Sequence, residues 1–205
     1  MLDAALINEC ADPSLQSAIV EQFVDVAGST DPLAVTVKSG GRVILVPKPT
    51  SVDEAMAIVR QYSGWAVVRV GLTQFPAGLG VKGAADLKPE LVDACENLRK
   101  GTALFAKILR IVAKWYGNPR SEEALPQIFD DAVYAWKTGE FEGVRVFQAA
   151  DPRDEVGTGG ANGEQGDEKQ SPVAEDAERT ADPLQEKVDI GAADMRIDLT
   201  RIGGK

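Results

Sequence analysis

Leu91, Cys95, Leu98, Thr102, Phe105, Leu109, Val112 and Tyr116 recur at alternating steps of four and three. On an α-helix that spacing puts every one of them in a single stripe. So long an apolar stripe has to be covered. The rest of the chain is therefore expected to pack around one central helix, bent at Gly101. Lys100, Lys107, Arg110 and Lys114 fall off the stripe. They read as a solvated basic face, with a dock for an acidic partner as the alternative.

The other elements follow from local chemistry. Asp12-Pro13 reads as a helix start, followed by Leu15, Ile19, Phe23 and Val26 on one face. Gly28 is expected to close that helix in a left-handed conformation. LAVTVK and RVILV flank Ser39-Gly40-Gly41, a hairpin signature, and Pro47 and Pro49 end the second strand. Ser51 and Glu54 form a capping box ahead of Val52, Ala55, Met56 and Val59, and Gly64 stops that helix. WAVVRVGL (65–72) is short and β-branched and reads as a third strand. GLGVKG (78–83) has the letters of a dinucleotide-binding loop. Pro89 delays the next helix, however, and no second strand follows, so the segment reads as a flexible loop and no cofactor is expected. A last helix from Pro126 to Thr138 turns Ile128, Phe129, Ala132, Val133 and Trp136 inward and stops at Gly139.

The chain has 205 residues, 44% of them hydrophobic, enough for one domain with a real core. The expected class is α+β: mainly helical, with a small three-stranded antiparallel sheet, over residues 1–148. Residues 149–205 are expected to form a disordered acidic tail, poor in bulky apolar residues. Its last part, 187–202, contains Met195, Ile197, Leu199 and Ile202 and reads as a short docking segment or a frayed end. Net charge is −10, and residues 151–205 hold 14 acidic against 7 basic residues. A phosphate backbone needs a basic face, so direct nucleic-acid binding is not expected. There is no histidine, which removes the commonest metal ligand and the usual general base. No metal is expected. Cys10 and Cys95 could pair or stand as two buried thiols. No apolar run is long enough to span a membrane. MLDAALINEC lacks the basic start of a signal peptide, which points to the cytoplasm.

Several short motifs fall in a telling order. Cys10 precedes the first helix. That helix ends in AGSTDPLAV, comparable to E-S-G-x-x-P-x-A-I through Pro32, Ala34 and Val35. Gly71, Leu72, Gln74 and Phe75 match G-L-x-Q-I. VDACENLRKG compares with F-D-P-C-x-N-L-x-x-G through Asp93, Cys95, Asn97, Leu98 and Gly101. AWKTG compares with A-Y-N-x-G through Ala135, Trp136 and Gly139. Over residues 9–143 the chain thereby resembles the specialised lytic transglycosylases of type IV secretion systems. It is more similar still to the conjugal-transfer family TraH of rhizobial plasmids, through ECADPSL, AVVRVGLTQFPAG, VDACENLR, KWYGNP and DAVYAWKTGEFEGV.

The resemblance implies a lysozyme-like fold with a cleft between sheet and helices, and a part in plasmid conjugation through a type IV channel. The groove residues it implies are Gln74, Thr73, Tyr134 and Trp136, although Trp136 also suits the core. It implies a Cys10–Cys95 disulfide and hence the periplasm, against the cytoplasmic start. It also exposes departures. The general acid of the pattern falls on Ala27, which has no proton to give. Trp136-Lys137 stands for the Tyr-Asn of the last motif, and Pro76 for the Asn that follows the Gln. Asp31 and Glu21 are the substitute acids in sequence reach, and Asp31 equally suits an Asx turn beside Pro32. The first reading is a catalytically degenerate accessory protein that binds a conjugation-machinery protein or peptidoglycan. The alternatives are a transglycosylase with an unorthodox acid and a substrate of the channel.

Overall fold

The computed structural model describes residues 2–119 and 121–153. The chain divides into two units, Met1–Asn162 and Gly163–Lys205, and all described residues lie in the first. Of the expected acidic tail only residues 149–153 are described, and they are held against the domain; the rest, with its 187–202 segment, falls outside the described residues.

The N-terminal region departs from expectation. A short helix, α1 (Ala4–Cys10), comes first, capped by the Asp3 carboxylate on Ala5 N at 2.9 Å. Asp12-Pro13 starts no helix. Asp12 accepts from Ser14 N at 2.8 Å, and its own N–H donates to Thr102 Oγ1 at 2.8 Å. The capping oxygen is used in a local turn, and α2 begins later, at Ser17–Ala27. Gly28 is extended (φ −103°, ψ −153°) rather than left-handed. Glycine is needed there for space, since a Cβ would sit 2.2 Å from Leu72 O.

The sheet has four strands, not three. β1 (Val35–Ser39), β2 (Arg42–Ile44), β3 (Val67–Val70) and β4 (Phe75–Pro76) lie in the order β2-β1-β3-β4, all antiparallel. Gly40 and Gly41 both have positive φ, as the tight two-residue hairpin turn requires. Helix α3 (Val52–Tyr62) is capped by Ser51 on Glu54 N. The Glu54 carboxylate reaches back one residue further than a capping box expects, to Thr50 N at 2.7 Å. GLGVKG forms turns and opens no α-helix; Ala84–Asp86 follows as a single 3-10 turn.

The central helix α4 (Ala94–Trp115) starts on the Asp93 cap, and Leu98, Thr102, Phe105 and Val112 of the stripe are buried on it. Gly101 is a contact point. A Cβ there would lie 2.2 Å from Thr73 Oγ1, so the glycine lets the sheet's turn touch the helix. Helix α5 (Leu125–Thr138) buries the five residues expected of it and ends at a left-handed Gly139. Phe23 stacks on Phe105 with centroids 3.9 Å apart, and Trp136 meets Phe23 edge-on at 5.1 Å. This aromatic cluster locks α2, α4 and α5 together. A second hairpin, β5 (Glu140–Phe141) and β6 (Val144–Arg145), follows α5 directly.

The basic residues of α4 are neither simply solvated nor free for a partner. Lys107 donates to Phe147 O at 3.0 Å and Ala149 O at 2.8 Å. Arg110 binds Asp151 through two nitrogens, at 2.8 and 2.5 Å. These two side chains strap residues 147–151 onto the helix. Lys100 lies 3.6 Å from Glu90.

Candidate functional site

The site is best built outward from the turn at Gly71–Phe75. Gly71 has φ +72°, and a Cβ on it would meet Asn97 Nδ2 at 2.3 Å. That room lets the Asn97 amide enter the turn. Asn97 donates to Val70 O at 3.0 Å and Leu91 O at 2.7 Å, and accepts from Thr73 N at 2.9 Å and Thr73 Oγ1 at 2.9 Å. Gln74 is left-handed (φ 52°), and its Nε2 donates to Gly71 O at 3.0 Å. Trp136 Nε1 donates to Thr73 O at 3.1 Å, and Ser29 N donates to Leu72 O at 2.8 Å. One knot therefore joins the end of α2, the turn, the start of α4 and the end of α5.

Of the four groove residues named from sequence, three meet in this knot, but not as a ligand surface. Thr73 and Trp136 are fully buried, and Gln74 is nearly so. Thr73 Oγ1 donates to Asn97 Oδ1, and Gln74 Nε2 and Trp136 Nε1 donate to backbone carbonyls. Tyr134 stands apart and exposed, beside Trp115, Asp131 and Glu142. Ala27 is half-buried against the core. Asp31 forms the Asx turn, accepting from Leu33 N at 2.9 Å, and its other oxygen lies 3.2 Å from Lys48 Nζ. Glu21 and Asp25 are exposed. Cys10 and Cys95 are joined in a disulfide with Cα atoms 5.2 Å apart.

On the far side of the knot opens a groove of about 710 Å³. Strand alternation sets its floor. Lys38 pairs with Val67, and Arg69 pairs with Pro76, so these side chains share the outer face of the sheet. Val37, Val68 and Val70 point the other way, into the core. The opposite wall comes from the end of α5 and the second hairpin: Lys137, Gly139, Glu140, Arg145 and Phe147.

Arg69 links knot and groove. It is 8% exposed, and it donates to Gln74 O at 3.1 Å, Trp136 O at 2.6 Å and Lys137 O at 3.1 Å. The last two carbonyls belong to the final turn of α5, where a cation is favoured. Its guanidinium also lies 5.8 Å from the ring centroids of Trp136 and Phe147. Burial pulls its pKa down to about 10, which leaves it charged at neutral pH. No carboxylate pairs with Arg69, Lys38, Lys137 or Arg145 among the described residues. With Glu140 as the one acid in the wall, the groove is cationic in a chain of net charge −10.

Sequence reading missed Lys38, Arg69 and Arg145 as site residues. The one available signal was Arg69 itself, a lone charge inside the apolar run WAVVRVGL. Pro76 and Lys137, which depart from the transglycosylase pattern, both line the groove. Among the described residues no Cys, Asp or Glu cluster could hold a metal ion, and no helix is long and apolar enough to cross a membrane.

Fold and groove define a class: a small α+β domain whose outer sheet face, a helix end and a hairpin enclose a cationic depression. Comparison with known proteins narrows it. The family TraH_2 matches residues 1–204, and the chain belongs to that family. It is 68% identical over 204 residues to the "Uncharacterized protein y4dP" of Sinorhizobium fredii (strain NBRC 101917 / NGR234), covering 100% of both chains. No solved structure matches.

Proposed function

We propose that this chain is an accessory protein of plasmid conjugation that acts by binding, on a lysozyme-like frame whose general acid has been lost. Membership of the TraH_2 family supports the role in conjugal transfer. The frame is supported by convergence: Gly71, Gln74, Asn97, Gly101 and Trp136, from three separate motifs, are tied into one knot.

The observation that carries the loss of the acid lies at the end of α2. Ala27 offers a methyl group, and no neighbouring carboxylate has the environment of a replacement. A general acid is held partly desolvated so that its pKa rises towards the working pH. Asp31 instead spends one carboxylate oxygen on Leu33 N in the Asx turn and sets the other 3.2 Å from Lys48 Nζ, so both oxygens already have partners. Glu21 and Asp25 face solvent. Losing such an acid forfeits on the order of 10²–10⁴ in rate. The cationic groove then serves as a binding surface for a conjugation-machinery protein or for peptidoglycan. Two positions where the transglycosylase pattern has asparagine, Pro76 and Lys137, line it. The Cys10–Cys95 bond favours an oxidising compartment, as the periplasm is.

Plasmid transfer from a donor lacking the gene tests the reading. Transfer should fall and be restored equally by the wild-type protein and by Asp31→Asn. Wild-type transfer without the gene contradicts a conjugation role, and failure of Asp31→Asn favours the unorthodox acid. Appearance of the protein in recipient cells favours a channel substrate.

A further inference from the structure

We propose that the groove on the outer sheet face binds an acidic, partly apolar segment of a partner protein, with Asp and Glu side chains meeting Arg69, Lys38, Lys137 and Arg145. The inference rests on the binding role proposed above and names the chemistry of the ligand.

Three independent features lead to it. The first is charge without a counterion. Buried cations are normally paired with an anion, but Arg69 is held only by carbonyls and ring faces. The partial negative charge of the α5 terminus offsets some of its charge. Lys38, Lys137 and Arg145 add three more positive charges, all exposed and without carboxylate partners among the described residues. The second is the floor. Val67 is 56% exposed, and Ala66, Leu79 and Phe147 extend the apolar surface between the cations. Alternating apolar and cationic contacts suit a peptide that carries both carboxylates and apolar side chains. The third is what the groove lacks. No tryptophan or tyrosine lines it, and the one aromatic ring among its lining residues, Phe147, packs edge-on against Trp136 and beside the Arg69 guanidinium, so successive bases or sugars find no row of stacking platforms.

The test uses the full chain and a fluorescein-labelled 16-residue peptide made of four Glu-Leu-Asp-Ser repeats, read by fluorescence anisotropy. The variant Lys137→Glu with Arg145→Glu changes two exposed groove residues. A control, Lys82→Glu with Lys88→Glu, makes the same net-charge change at exposed positions outside the groove. The peptide should bind wild type and control alike, and the groove variant about 10-fold or more weakly. Added salt should weaken binding to wild type. No binding, or equal loss in both variants, overturns the proposal. So does a single-stranded DNA 16-mer or chitotetraose that binds more tightly than the peptide with the same dependence on the groove residues. Plasmid transfer with the groove variant separates the two levels. Impaired transfer without peptide binding removes the acidic-peptide ligand and keeps the groove as a binding site. Normal transfer without peptide binding removes both.

Discussion

Asn97 does more than any other single residue to hold the proposed frame together. Its amide makes two donated and two accepted hydrogen bonds, all within a site only 1% exposed. Replacing it with leucine keeps the volume roughly constant and strands the carbonyls of Val70 and Leu91 and the N–H of Thr73. Each buried group left unpaired costs about 1–3 kcal/mol. Asn97→Leu is therefore expected to destabilise the protein by about 3–5 kcal/mol, read by denaturant unfolding. A loss under about 1 kcal/mol would mean that the knot is not what holds the turn. Such a residue looks like a site residue in sequence because it is polar and belongs to a motif. Its polarity is spent on three backbone groups and the Thr73 hydroxyl.

The elements differ in how far the sequence disclosed them. The β1–β2 hairpin was legible because Gly40-Gly41 is a turn that little else can make. The second hairpin was missed because its turn places Glu142, not asparagine or glycine, at φ +46°. The start of α2 was misplaced because Asp12 serves a turn as well as it would serve a helix. The strap after β6 was also hidden. Its one charged anchor, Asp151, lies 41 positions from Arg110 and looked like the first residue of an acidic tail. Arg110 holds the Asp151 carboxyl well below the usual carboxylate range, against a smaller opposing effect of burial. A depressed folded-state pKa means that the contact stabilises fully above the unfolded value of about 3.9 and fades as pH drops through the folded one. Asp151→Asn should cost about 1–3 kcal/mol at pH 7. The gap between variant and wild type should close as pH falls below about 4. Thermal melts across that range check it, and a gap that widens at low pH would contradict the strap.

For the whole molecule, the fold class was legible and the groove was not. A seam of apolar residues, a glycine hairpin and a capped helix α3 announce an α+β domain from local chemistry alone. The groove exists only because the sheet register sets Lys38 beside Val67 and the chain then returns, 76 residues after Arg69, to lay Arg145 across from it. No local pattern encodes that meeting. The Cys10–Cys95 bond works at the same scale, closing a loop of 85 residues. Removing it with Cys10→Ser and Cys95→Ser should cost about 2–5 kcal/mol, seen as a lower midpoint in thermal unfolding under oxidising conditions. Wild type and variant should converge once a reductant is added.

The central claim is that a protein framed like a peptidoglycan-cleaving enzyme binds without cutting. Release of soluble muropeptides from purified peptidoglycan by the full chain measures this most directly. The account predicts release no faster than the buffer blank. Release above the blank that disappears in Asp31→Asn or Glu21→Gln would contradict it.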